Sequence, residues 1–201
     1  AEFGEEFGVA GEGDAMEEAM LGMRPDRVAD LGVARTFQNI ELFPQMTVLD
    51  NLMLGRHQHI GYGTPAAMLR WGKASREEAR HRAVVEGIIE FLEIQQFRRS
   101  FVEMLPYGIQ KRVELGRALA MEPKLLLLDE PAAGMNLEET EDMARFILDV
   151  HQELGVTVVM IEHDMDVVFS LADRITVLHL GTILASGPPA DIRENQAVKD
   201  A

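Results

Sequence analysis

Leu125-Leu126-Leu127-Leu128, bounded by Pro123 and Pro131, is the stretch that most limits what this chain can fold into. Four consecutive leucines without polar alternation read as a short strand covered on both faces, the kind found in a parallel sheet. Asp129 and Glu130 follow at once, at the carboxyl end of that strand, where open α/β sheets place their ligands. In a nucleotide site the first carboxylate holds Mg²⁺, often through water, and the second orients or deprotonates an attacking water. The plain alternative is a strand that runs into a solvated acidic turn.

The bulk numbers bound the possibilities. A chain of 201 residues fits one large domain, or a core with a subdomain, and can bury a sizeable apolar interior. Hydrophobic residues make up 47% and charged residues 26%, the values of an ordinary globular protein, so a packed core is expected. The net charge is −15, and Glu2, Glu5, Glu6, Glu12, Asp14, Glu17 and Glu18 contribute seven of those charges within residues 1–22, which hold no basic residue. That balance argues against a nucleic-acid partner, which needs a basic stripe. The absence of cysteine excludes disulfides and thiolate metal sites. No apolar run reaches the length of a membrane span, so association with a membrane is expected only through a partner, without direct insertion.

Along the chain, residues 1–22 read as an acidic, flexible leader. Asp14 with Glu17 fits a capping box for a short helix through Met20 and Leu21, and disorder fits the same residues. Leu31 to Phe37 predicts a strand ending at Gln38-Asn39. Thr47 to Leu54 predicts a short helix. Ser75 with Glu78 predicts a capping box opening a helix with Ala79, Ala83, Ile88 and Leu92 on one side. Gly108 to Met121 predicts a helix closed by Pro123. Asn136 and Glu139 predict the cap of a helix with Met143, Phe146, Ile147, Val150 and Leu154 facing inward and Gly155 as its stop. Val156 to Ile161 predicts a second buried strand, Asp164 caps a short helix to Ala172, Ile175 to Leu180 is a third strand, and Thr182 to Ser186 adds a small one. Strands alternating with helices over the last third predict an α/β fold with a mainly parallel sheet. The helix-rich part, about residues 47–120, predicts a helical subdomain within a domain spanning residues 23–201.

Several further segments stand in a telling order: Ala34-Arg35-Thr36-Phe37-Gln38-Asn39, Leu42-Phe43-Pro44, Met46-Thr47-Val48-Leu49, Leu105-Pro106-Tyr107-Gly108 with Gln110-Lys111-Arg112, Leu125 to Pro131, Ala133 to Asn136, and Ile161-Glu162-His163-Asp164-Met165. In this order and spacing the chain resembles the ATP-binding subunit of an ATP-binding-cassette (ABC) transporter, most like those of branched-chain amino acid importers. The resemblance runs from about Arg24 to the C-terminus. It implies a P-loop NTPase core that binds ATP and Mg²⁺. Gln38 takes the place of the Q-loop glutamine, reaching Mg²⁺ through water or the attacking water itself. Asp129 corresponds to the Walker B aspartate at the metal, Glu130 to the catalytic base and His163 to the switch histidine. Gly108, with Tyr107 and Gln110, lies in the signature motif, whose helix N-terminus acts on ATP held by the opposite subunit. Asn136 stands in place of the D-loop aspartate. Pro106, Tyr107 and Ile109 depart from the commonest signature, where serine, glycine and glutamine are usual. The resemblance also implies transmembrane permease partners, a second ABC ATPase subunit arranged head-to-tail, and a cytoplasmic position on the inner face of the plasma membrane.

One expected element is missing from the 201 residues. A phosphate cradle needs G-x-x-x-x-G-K-[ST], and none of the four lysines, Lys73, Lys111, Lys124 and Lys199, stands in that pattern. The core is therefore expected to be incomplete, with little or no ATP binding by the chain alone and with exposed apolar surface where the P-loop strand would pack. Two readings follow. One is the ATP-hydrolysing subunit of an importer that is inactive alone. The other is a non-hydrolysing interaction module that supplies its signature helix to an intact partner. A soluble ABC-type ATPase of DNA repair or translation fits the acidic charge poorly.

Overall fold

Proline at the first helical position and Gly32 just past the end bracket a short helix, α1 (Pro25–Asp30), which leads into strand β1 (Val33–Arg35). The computed structural model describes residues 22–36, 40–59 and 73–201. The acidic leader, the Asp14–Glu17 cap and the end of the first predicted strand at Phe37-Gln38-Asn39 lie outside the described residues.

Three helices form one layer. In α2 (Val48–Gly55) the Thr47 hydroxyl caps the first turn by accepting from the Asp50 N–H at 3.2 Å. Buried Asn51 binds the Phe43 backbone twice: its Oδ1 accepts from the Phe43 N–H at 2.9 Å, and its Nδ2 donates to the Phe43 carbonyl at 3.0 Å. Helix α3 spans Lys73–Phe91 and so begins before Ser75, which excludes a cap there. Its inner face also differs from expectation. Ala79 and Ala83 are exposed and Ile88 is half-buried, while His81, Val85 and Ile89, followed by Leu92, are buried. The larger side chains claim the interior because they remove more apolar area from water than alanine does. Helix α4 (Tyr107–Leu119) then packs closely on α2: a Cβ at Gly55 would strike the Arg117 carbonyl oxygen and come within 2.9 Å of the Ala120 Cβ.

The sheet continues with β2 (Leu125–Asp129), which lies parallel between β1 and β3 (Thr157–Ile161). Val33 pairs with Leu125 on one side, and Leu125 to Asp129 pair with Thr157 to Ile161 on the other. Leu126 and Leu128 are buried, but Leu125 and Leu127 are only half-buried, so full coverage of both faces does not hold. Helix α5 (Leu137–Gln152) opens with the expected Asn136–Glu139 capping box. It buries Met143, Phe146, Ile147 and Val150, and Gly155, at φ +67°, lies just past its end. Leu154 is exposed, because it lies beyond the helix. The Arg112 guanidinium of α4 lies 5.0 Å from the centre of the Phe146 ring, which ties α5 to the helical layer, and Arg145 of α5 itself lies 4.4 Å from the same ring.

Asp164 caps α6 (Met165–Leu171) by accepting from the Asp166 and Val167 N–H groups. The chain then forms β4 (Ile175–His179) and β5 (Thr182–Gly187) before two short helices, α7 (Pro189–Glu194) and α8 (Gln196–Asp200). Here two expectations are corrected. β4 pairs antiparallel with β5 in a separate two-stranded sheet and does not join β3. β3 is not a buried strand either: Val159 is 53% and Ile161 63% exposed. Among the described residues β3 adjoins one strand only, and a strand with one neighbour has one edge unshielded, whatever its sequence suggests.

Candidate active site

The chemistry gathers where β2 and β3 end. Parallel pairing sets Asp129 opposite Ile161, so the residues that follow each strand emerge side by side. Glu130 takes a left-handed backbone, φ +46°, and its N–H donates to the Ile161 carbonyl at 2.9 Å. A non-glycine residue in this region stores strain of about 1–3 kcal/mol, held here by the neighbouring strand. The turn carries the Glu130 carboxylate to His163, with Oε1 3.6 Å from Nδ1. At that separation the pair is an ion pair when the imidazole is protonated, and too long for a direct hydrogen bond. His163 is open to solvent while Glu130 is three-quarters covered, so an incoming water or phosphate can reach the histidine without displacing protein.

Asp129, beside this pair, has a partner that the sequence reading did not assign. The Arg35 guanidinium donates to its Oδ2 at 3.1 Å. The signal was present: Arg35 pairs with Leu127, and side chains two apart on a strand share a face, which sets Asp129 diagonally across from Arg35. Glu162, to which the family resemblance assigns no role, accepts through its carboxylate from the N–H groups of Ala132 and His163.

A second group forms at the start of α4. A Cβ on buried Gly108 would run into the Glu139 carboxylate, so a larger residue here would have to push that side chain out of the α5 capping box. The Tyr107 ring packs on Gly134 in the same loop. Burial, and then the Glu114 carboxylate, push the Tyr107 phenol above its ordinary range, which keeps it a neutral hydrogen-bond donor. Gln110 and Asn136 both have internal partners: Gln110 Nε2 donates to the Leu105 carbonyl at 2.8 Å, and Asn136 Oδ1 accepts from the Glu139 N–H at 3.0 Å. The structure thus brings Asp129, Glu130 and His163 together, and places Tyr107, Gly108, Gln110 and Asn136 around the neighbouring helix start. Gln38 lies outside the described residues.

The donors at the first group are carboxylate oxygens, the hard ligands that suit Mg²⁺. Among the described residues no group of three or more His, Asp or Glu side chains is arranged to hold a metal ion by itself. Asp129 therefore fits a Mg²⁺ ion that takes its remaining ligands from water and phosphate, the usual habit of that ion.

Similarity to known proteins agrees with this geometry. A family profile described as ABC transporter matches residues 11–133. The high-affinity branched-chain amino acid transport ATP-binding protein BraF of Pseudomonas aeruginosa is 37% identical over 181 residues, covering 90% of this chain and 71% of the relative. The corresponding LivG proteins of Salmonella typhimurium and Escherichia coli are 36% and 35% identical over 184 residues, with the same coverage. Among solved structures, a nucleotide-free ATP-binding cassette from an ABC transporter matches with a TM-score of 0.71 at 27% identity, over 89% of this chain and 71% of that one. The ADP conformation of MJ1267, an ATP-binding cassette of an ABC transporter, matches with a TM-score of 0.72 at 27% identity, over 89% and 70%. With nine-tenths of its length aligned to such subunits at better than one-third identity, the chain belongs to the ABC transporter family, as an ATP-binding subunit homologous to those of branched-chain amino acid importers.

Proposed function

We propose that the chain supplies the water-activating half of an ATP-hydrolysing importer subunit for branched-chain amino acids, and that its 201 residues alone do not hold MgATP tightly. The observation that carries this reading is the 3.6 Å approach of Glu130 to His163 at the ends of adjacent parallel strands, next to Asp129. Glu130 takes the proton of the attacking water. His163 stands beside it to sense the terminal phosphate and to hold the water in line. Asp129, with Gln38, would hold Mg²⁺ through water, and that ion when bound would neutralise charge on the phosphate oxygens. For Asp129 to do so, the Arg35 guanidinium must yield its contact.

Two features support inactivity in isolation. No G-x-x-x-x-G-K-[ST] stands in the sequence. The edge of β3 facing away from β2 has no strand beside it among the described residues, and β3 leaves Val159 and Ile161 exposed. A parallel strand added there would end next to His163, so a phosphate loop following it would bring the triphosphate to Glu130. The Tyr107–Gly108 end of α4, within a helical subdomain of about residues 47–120, serves a second ATPase subunit placed head-to-tail. Exposed Phe43, Phe101 and Met104 form an apolar ridge where the Val102 and Glu103 N–H groups bind the Met46 and Pro44 carbonyls. We assign this ridge to the transmembrane partner, with the subunit peripheral on the cytoplasmic face. Among the described residues no helix is long and apolar enough to cross a membrane.

In the assembled transporter, Glu130→Gln is expected to lower ATP turnover by roughly 100-fold or more while nucleotide binding is retained. Unchanged turnover removes Glu130 as the base and favours the second reading, a non-hydrolysing module that lends its Gly108 helix to a partner. Equilibrium dialysis of the chain alone is expected to show no micromolar MgATP binding, and finding it overturns the claim of inactivity in isolation.

A further inference from the structure

The Glu130–His163 pair spans two separate turns: one leaves β2, the other leaves β3. Backbone pairing ends at the Glu130 N–H to Ile161 carbonyl bond. Beyond it, only side chains can keep the turns in register. Glu162 is placed to do so. Its Oε1 accepts from the Ala132 N–H at 3.1 Å, on the turn that carries Glu130, and its Oε2 accepts from the His163 N–H at 3.2 Å, on its own turn. Each bond joins a backbone donor to an ionisable carboxylate, a stronger class of contact than one between neutral groups. One half-buried carboxylate therefore bridges the two loops whose tips carry the base and the switch histidine.

We propose that Glu162 is a positioning residue whose carboxylate clamps the Glu130 turn to the His163 turn and so sets the separation of the two side chains. The inference rests on reading Glu130 and His163 as the working pair. Glu162 acts through the backbone N–H groups of Ala132 and His163, and those two groups report on it directly.

The test is nuclear magnetic resonance on the ¹⁵N-labelled chain, comparing the parent with Glu162→Ala, Glu162→Gln, Glu130→Gln and the Glu130→Gln/Glu162→Ala double variant. In Glu162→Ala, hydrogen exchange at the Ala132 and His163 amides is expected to quicken together, by roughly 10- to 100-fold, while amides within β2 and β3 keep their rates. Glu162→Gln keeps one carbonyl acceptor and should restore protection at one of the two amides. At fixed pH, Glu130→Gln should move the His163 ring nitrogen signals when Glu162 is present, and by less than half as much when it is alanine. A simple loss of charge at residue 162 would leave the effects additive. Protection retained in Glu162→Ala, or a Glu130→Gln effect undiminished without Glu162, overturns the clamp alone. No response of the His163 ring to Glu130→Gln with Glu162 intact overturns the pair and its clamp together.

Discussion

The helical layer and the C-terminal side of the sheet meet solvent in opposite ways. Val48, Leu52, Val85, Ile89 and Leu92 are fully buried where α2, α3 and α4 pack together, whereas Val159, Ile161, Leu178 and Leu180 stand out from β3 and the β4–β5 hairpin. Both regions are apolar in sequence, so composition does not distinguish them. What differs is the number of neighbours each element finds within the chain. Each helix of the layer meets two others. Among the described residues β3 meets only β2 along its edges, and the hairpin strands pair with each other. Among the described residues the helical layer is thus closed by its own members, whereas β3 leaves one edge and apolar side chains open.

The largest effect that would sharpen this contrast lies at Gly55. Its close contact with the Arg117 carbonyl and Ala120 leaves no room for a methyl group, and backbone cannot swing aside as a side-chain end can. Gly55→Ala is expected to destabilise the fold by about 1–3 kcal/mol in chemical denaturation. A neutral result would mean that the layer is looser than its packing indicates.

A smaller effect depends on pH. His81, 5% exposed, receives a hydrogen bond at Nδ1 from Arg56 Nε at 3.3 Å, while Arg56 also donates to the Ala120 carbonyl and pairs with Glu122. Burial, and next the Arg56 charge, hold the His81 imidazole below its ordinary value of 6.5; Glu77 opposes this, and His59 and Arg80 add to it. The folded state then binds fewer protons than the unfolded chain in the window just below 6.5. The stability from neutral His81 is full above that value and is lost as pH falls toward the lowered one, with a slope of at most about 1.4 kcal/mol per pH unit. His81→Gln, which keeps an acceptor for Arg56, should flatten that limb of the stability–pH curve, and an unchanged limb would assign it to other groups.

The smallest stability effect is expected at β3. Ile161→Thr should change unfolding free energy by less than about 0.5 kcal/mol, since its side chain is already largely in water. It should nonetheless reduce self-association in sedimentation. A large loss of stability there would break the comparison by showing that β3 is covered in solution.

Local features were legible from residue order. The Asn136 and Asp164 caps, the inward face of α5 through Val150, and the β2 strand that runs into the Asp129-Glu130 pair follow from short-range rules of capping and periodicity. The inner face of α3 is not legible locally, because its apolar and alanine positions support two neighbouring stripes and contact with α2 and α4 selects the one through His81, Val85 and Ile89. Arg35 and Glu162 were visible as residues, yet their partners lie 94 and 30 positions away, beyond any local pattern.

Sequence by itself determined the α/β alternation, the carboxylate pair at a strand end and the histidine one strand further on, because each depends on residues within a few positions of one another. Tertiary structure alone decided that β3 is an open edge among the described residues, that β4 turns away into a hairpin, and that Glu130 and His163 stand 3.6 Å apart. Those outcomes depend on which distant segments come to lie side by side, and exposure and side-chain separation are properties of that neighbourhood.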